Sequence, residues 1–344
     1  MLSLMVAGGV ALLLAVFLTP VLVRRLRARQ IGQHIREDGP ESHAAKAGTP
    51  TMGGVVIVAA AVLGFVLAHF GTHVAFTRSG ALVCFVVVGF GFIGFLDDIM
   101  KVRNRRSLGL NKRAKSGLQL AFAIAFAVLA VNWAGTQTTL SFTRYTLPGW
   151  QLGSIGWAVL AVLVLVGTSN AVNLTDGLDG LAAGSSTFCF ATLAIIGYWQ
   201  FRHFAIYGIA SALDLALASV SLAGACIGFL WWNAAPAKIY MGDTGSLAIG
   251  AGLGALCLLM NLDLLLIIIG GLFVLETLSV IIQVFSFRVF HRRVFKMAPI
   301  HHHFELLGWP ETTVIVRFWI LAGLFTALGL GFFYADFLRA SGVV

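Results

Sequence analysis

Residues 80–101 read Gly80-Ala81-Leu82-Val83-Cys84-Phe85-Val86-Val87-Val88-Gly89-Phe90-Gly91-Phe92-Ile93-Gly94-Phe95-Leu96-Asp97-Asp98-Ile99-Met100-Lys101. Residues 80–96 carry no charge, and they are apolar on every side rather than at alternate positions. A barrel strand alternates polar and apolar residues, so this run is a membrane helix. It stops at two adjacent acids. A charged side chain at the bilayer centre costs ~2.5–3.5 kcal/mol on insertion scales, so Asp97 and Asp98 belong at an end of the span.

Working outward, runs of the same kind lie near 3–23, 53–70, 117–134, 155–172, 181–199, 211–232, 246–261, 264–287 and 314–337. The composition agrees. Of 344 residues 59% are hydrophobic, enough for roughly ten spans of ~20 residues. Charged residues make up 11%, against about 25% in soluble domains. These figures exclude a soluble globular, disordered or disulfide-stapled protein. The chain reads as one membrane domain over 1–344, an all-α polytopic protein. Arg24, Arg25, Arg27 and Arg29 directly follow the first run, which predicts a retained span rather than a signal peptide. Cys84, Cys189, Cys226 and Cys257 fall inside apolar runs without CxxC spacing, as buried small hydrophobes do.

The net charge of +9 would raise nucleic acid as a partner in a soluble chain. Here the basic residues sort by side instead. Loops after the odd-numbered spans carry 18 Lys/Arg, and the opposite side carries Arg78, Arg144, Arg202 and Arg339. The positive-inside rule then predicts both termini outside and the crowded loops in the cytoplasm. Most acids follow: Glu37, Asp38, Glu41, Asp97, Asp98, Asp176, Asp179, Asp243, Glu305 and Glu311 fall on the crowded side, Asp214, Asp263 and Asp336 on the other. Residues 135–154 predict a small outer hairpin around Pro148-Gly149.

Gly89, Gly91 and Gly94 spell a formal G-x-G-x-x-G, but a dinucleotide site needs a strand before it and a helix opening after it. Inside an apolar run, these glycines predict close helix packing. Three other motifs carry chemistry. Asp97 and Lys101 share a helix face at i, i+4, while Asp98 turns about 100° away; an ion-paired helix end also accounts for them. Asn170, Asn173 and Asp176 recur every third residue before Gly177 and Gly180. This gathers oxygen ligands suited to Mg²⁺ shared with substrate phosphates. Tyr240-Met241-Gly242-Asp243-Thr244-Gly245-Ser246 reads as a loop before a helix starting near Ser246. Its glycines admit an anion to the helix amides while Asp243 holds a metal, although an ordinary N-cap turn uses the same residues. His301, His302 and His303 are adjacent, which suits three contacts to phosphate or sugar oxygens better than one zinc site. No P-loop or H-E-x-x-H is present.

Asp97-Asp98-x-x-Lys101, Asn170–Gly180 and Met241–Ser246 together resemble the polyprenyl-phosphate sugar-1-phosphate transferases. Asp38-Gly39-Pro40-Glu41-Ser42-His43, Lys46–Gly54 and Pro299–Glu305 resemble the branch that uses UDP-MurNAc-pentapeptide. The resemblance spans nearly the whole chain. It implies about ten helices, a cytoplasm-facing cleft, Mg²⁺ dependence and often a homodimer. It implies transfer of phospho-MurNAc-pentapeptide from UDP to undecaprenyl phosphate, giving lipid I and UMP. On this reading Asp97, Asp98 and Asp243 are catalytic, and Asp243 with Asn173 holds the metal. Substrates fall to Lys46, Thr51, Lys101, Asn170, Asn173, Asp176, Tyr240, Gln283, His301, His302 and His303. Tyr240 stands where relatives commonly carry Phe against uracil. A transferase for UDP-N-acetylglucosamine and a secondary transporter are the rival readings; a transporter would place its acids near the midplane and show two related halves.

Overall fold

The computed structural model describes residues 1–29, 48–72, 74–104 and 109–342. Its long helices are α1 (Leu2–Ala28), α2 (Gly54–Thr72), α3 (Arg78–Asn104), α4 (Lys112–Leu129), α5 (Gly153–Thr175) and α6 (Leu181–Arg202). A single helical turn, α7 (Phe204–Tyr207), leads to α8 (Ala212–Asn233) and α9 (Gly242–Leu259). Then come α10 (Leu265–Ile269), α11 (Gly271–Phe290), α12 (Ile300–Glu305) and α13 (Glu311–Ala340). Ten of these helices are long and apolar enough to cross a membrane. The chain is an all-α polytopic membrane protein. In lipid every backbone amide must be satisfied within its own segment, which is why each apolar run becomes a helix.

α9 lies at the centre. From Thr244 to Leu259 every residue is buried, with α3 and α5 packed on it. α8 forms a second inner post, flanked by α1, α2 and α6. Lipid tails are as apolar as leucine, so helices associate through close packing rather than hydrophobicity. The sequence supplies small residues where that is needed. Ala7, Ala11, Ala15 and Thr19 form a buried i, i+4 stripe on α1. The formal dinucleotide motif has this role: added side-chain carbons at Gly91 and Gly94 would meet Val58 and the Asp243 carbonyl.

Two expectations are corrected. α9 begins at Gly242 rather than near Ser246, so Asp243 sits in the first helical turn and not in a preceding loop. Gly242 has φ 72°, a conformation glycine adopts without strain, which lets the helix start early. The ninth run is two helices, α10 and α11, separated at Gly270. The hairpin is present as β1 (Thr139–Arg144) against β2 (Leu147–Gln151), antiparallel.

At the hairpin end of the bundle three acids close chain connections. Asp214 accepts from Thr77 N (2.8 Å) and Oγ1 (2.6 Å) and pairs with His69 Nε2 at 2.7 Å. Asp263 accepts from Ser141 N at 2.9 Å. Asp336 accepts from Thr143 Oγ1 at 2.6 Å and from Arg144 Nε at 3.1 Å. A satisfied acid at a helix end avoids the cost of burying a lone charge.

Candidate active site

The opposite end gathers the polar motifs. The last two turns of α3 bring Asp97, Asp98 and Lys101 against the first turn of α9. A side chain at Gly54 would overlap Gly245, so α2 can enter only as glycine. Residues 50–54 then pair with the chain before α9: Tyr240 N donates to the Pro50 carbonyl, and Gly53 N to that of Tyr240, each at 2.8 Å. This places Thr51 beside Tyr240.

Asp97, Asp98 and Asp243 offer carboxylate oxygens within 4.8 Å of one another. Two lysines oppose that charge. Lys101 Nζ lies 2.6 Å from Asp97 Oδ2, 3.8 Å from Asp98 Oδ1 and 2.9 Å from Asp243 Oδ1. Lys115 closes on the other oxygen of Asp243. Its position follows from α4, whose first turn is capped by Asn111 Oδ1 accepting from Ala114 N at 2.7 Å. Asp97 Oδ1 anchors the approach to that helix by accepting from Leu110 N at 2.9 Å.

The two adjacent acids do different things. Both are 2% exposed. Asp98 accepts from Asp243 N, Thr244 N and Thr244 Oγ1, at 3.1, 3.0 and 2.6 Å, and so caps α9. A carboxylate here also meets the positive end of the helix dipole. Asp97 keeps one oxygen toward Lys101 inside the acid cluster.

From α5, Asn173 donates to Ser246 Oγ at 2.8 Å, which ties α5 to the first turns of α9. Asn170 bonds Gln119 Oε1 (3.2 Å) and the Val166 carbonyl (2.8 Å), joining α5 to α4. Asp176 follows α5. Burial pushes its carboxyl up to about 8, the charges of Asp243, Asp98 and Asp179 push the same way, and Lys101 opposes them. Asp179 accepts from Ala237 N at 2.9 Å and steadies the segment leading to Tyr240.

The three histidines take different partners at Nδ1. On α12, His301 Nδ1 lies 3.1 Å from Glu276 Oε2 and His302 Nδ1 lies 2.6 Å from Glu305 Oε2. His303 Nδ1 accepts from Lys296 N at 3.0 Å. Gln283 accepts from Val294 N and Phe295 N and donates to the Phe295 carbonyl, each at 3.0 Å. It thereby fastens the end of α11 to the next loop. Lys46 and the Asp38–His43 stretch lie outside the described residues.

Lys115, Thr244 and Glu276 join this set without having been singled out in the sequence. Lys115 is 128 residues from Asp243, and no local pattern marks it among its basic neighbours. Thr244 lies within a motif that was read for its glycines and acid. Glu276 had a readable signal, because an acid inside an apolar run is expensive and needs a partner.

An all-oxygen set of carboxylates and an amide suits a hard cation such as Mg²⁺, and the two lysines show how strongly this pocket attracts positive charge. The pocket as a whole joins carboxylates, ammonium groups and a helix amino terminus, the groups that phosphoryl transfer requires.

Comparison with known proteins gives a consistent result. Residues 80–261 match Glycosyl transferase family 4. Residues 46–58 match phospho-N-acetylmuramoyl-pentapeptide-transferase signature 1. The chain is 52% identical to a phospho-N-acetylmuramoyl-pentapeptide-transferase of Frankia alni, covering 97% of this chain and 98% of the relative. Proteins of the same name from Saccharopolyspora erythraea and Streptomyces griseus are 48% and 47% identical. They cover 98% and 96% of this chain, and 98% and 97% of their own lengths.

Proposed function

This chain belongs to the phospho-N-acetylmuramoyl-pentapeptide-transferase family, and from that we propose how its acidic pocket carries out the family's reaction. The chain transfers phospho-MurNAc-pentapeptide from UDP-MurNAc-pentapeptide to a polyprenyl phosphate, giving lipid I and UMP. We take undecaprenyl phosphate as the acceptor, the bacterial inner membrane as the location and the cytoplasm as the side on which the pocket opens. The charge sorting supports that side, since the loops counted as Lys/Arg-rich include the one that follows Asp97 and the one that precedes Asp243 in the sequence.

The observation that carries the reading is the cluster of Asp97, Asp98 and Asp243 beneath Lys101 and Lys115. Attack of one phosphate on another crowds negative charge, and fixed ammonium groups and helix amides offset it as it develops. Asp243, with Asn173, would hold Mg²⁺. When bound, the ion neutralises phosphate charge and orients the diphosphate.

Asp97 orients the acceptor phosphate and removes its residual proton. That proton is a modest burden, because a phosphate monoester has its second pKa near 6 and is largely dianionic at pH 7. Asp98 acts one step back by holding the first turn of α9, and with it Asp243, in place. Tyr240 stacks on the uracil ring. Asp176 accepts from the N–H edge of uracil. Thr51, Lys46 and His302 face the phosphates and sugar. A homodimer is part of the family expectation and does not enter this mechanism.

The test is purified chain incubated with UDP-MurNAc-pentapeptide and undecaprenyl phosphate, with and without Mg²⁺, reading UMP release. UMP should appear only with Mg²⁺ and with both substrates. Equal release from UDP-N-acetylglucosamine would remove the assignment of donor.

A further inference from the structure

Glu276 on α11 and His301 on α12 are both 0% exposed, and His301 Nδ1 lies 3.1 Å from Glu276 Oε2. Neither carboxylate oxygen and neither ring nitrogen has a hydrogen-bond partner of good geometry. A buried acid with a single imidazole beside it is costly to keep in a span, and structure alone does not require it.

The other ring nitrogen points at a turn of the site. A side-chain carbon on Gly177 would overlap His301 Nε2 and would stand 3.3 Å from His302 Nε2. Gly177 directly follows Asp176. The rings of His301 and His302 are 4.2 Å apart, and His302 has its own carboxylate, Glu305, at 2.6 Å from Nδ1. Two carboxylate–imidazole pairs thus lie side by side with both Nε2 edges toward one turn.

The pairs differ in depth. His302 is half-buried, so it can meet a ligand. His301 lies wholly beneath the turn. A carboxylate only accepts hydrogen bonds, so Nδ1 is the ring nitrogen placed to donate to Glu276, which turns Nε2 toward the Gly177 side.

We propose that Glu276 is a positioning residue for the nucleotide donor: through His301 it supports the Asp176–Gly177 turn and the ring of His302 from behind. His301 then acts behind the donor contact rather than as part of it. The proposal rests on the donor assignment under Proposed function.

The experiment uses the full chain in detergent, with donor and polyprenyl phosphate varied separately. Glu276→Gln should raise the donor KM about tenfold, as expected for loss of one charge-assisted contact. The acceptor KM and the melting temperature should stay at parent values. Glu276→Gln combined with His301→Gln should be no worse than either alone.

Gly177→Ala reaches the same contact from the other side and should give the same donor-selective defect. An unchanged donor KM in both Glu276→Gln and Gly177→Ala overturns the proposal. So does a drop in melting temperature with both KM values and kcat moving in step, or failure of both variants to fold. A parent chain that releases no UMP would remove the donor assignment and this proposal together, whereas an active parent with silent variants removes this proposal alone.

Discussion

Asp98 and Thr244 join the two helix ends that form the site: Thr244 donates both its backbone N–H and its hydroxyl to Asp98 Oδ2, at 3.0 and 2.6 Å. Asp98 belongs to α3 and Thr244 to α9, 146 residues apart. Both oxygens of Asp98 are held by α9, whereas one oxygen of Asp97 is held only by the Lys101 ammonium within the acid cluster. The two should therefore fail differently when mutated.

Asp98→Ala removes a charged cap and should lower stability by ~1–3 kcal/mol, as loss of a buried charge-assisted partner does. Activity should fall with it, because Asp243 loses its support. Asp97→Asn should keep the parent melting temperature and lose rate, and raising the pH above the phosphate's second pKa should recover part of that loss. Thermal melts in detergent and pH–rate profiles of the two variants check this. A pH-independent deficit in both would mean that neither acid takes a proton.

Asp243→Asn should nearly abolish turnover and weaken the dependence on Mg²⁺, read as UMP release across a Mg²⁺ titration. Lys115→Met should lower kcat/KM by about one to two orders of magnitude, since a fixed charge opposite the developing phosphate charge is removed. Near-normal rates in Asp243→Asn would take it out of the site.

Tyr240→Phe should leave the donor KM close to the parent value, because the ring face is retained. Tyr240→Ala should raise it about tenfold, within the ~1–3 kcal/mol typical of base stacking on an aromatic side chain. Equal KM values in the two variants would place uracil elsewhere.

Asp263 lies between α9 and α10, where burial pushes its carboxyl up to about 7 while its bonds to Ser141 pull down. The folded protein therefore binds this proton more tightly than the unfolded chain, whose carboxyl titrates near 3.8. Stability should be greatest at low pH and decline as pH rises between those two values, by up to a few kcal/mol. Asp263→Asn should flatten this part of the curve. Melting temperatures measured from pH 4 to pH 8 decide it, and an identical slope in the variant would assign the dependence to another group.

The spans could be read from the sequence because a helix in lipid is a local solution. Each apolar run must satisfy its own backbone, and runs such as 80–96 can do that only as helices. Grouping of the acids by side followed from the same count, as did the i, i+4 meeting of Asp97 with Lys101. Everything that depends on which helix ends touch came from tertiary packing. Nothing near Asp98 in the chain says that it caps α9, and Lys115 reaches Asp243 only because α4 starts beside α3. Gln283 and His303 read as substrate contacts, and only the folded chain shows that Gln283 and His303 Nδ1 also meet backbone at 294–296. The early start of α9 depended on Gly242 accepting φ 72° beside Asp98. Helical periodicity extends over a few residues, whereas a hydrogen bond across the bundle needs two surfaces at contact distance, and their separation is set by the glycines and alanines packed between helices.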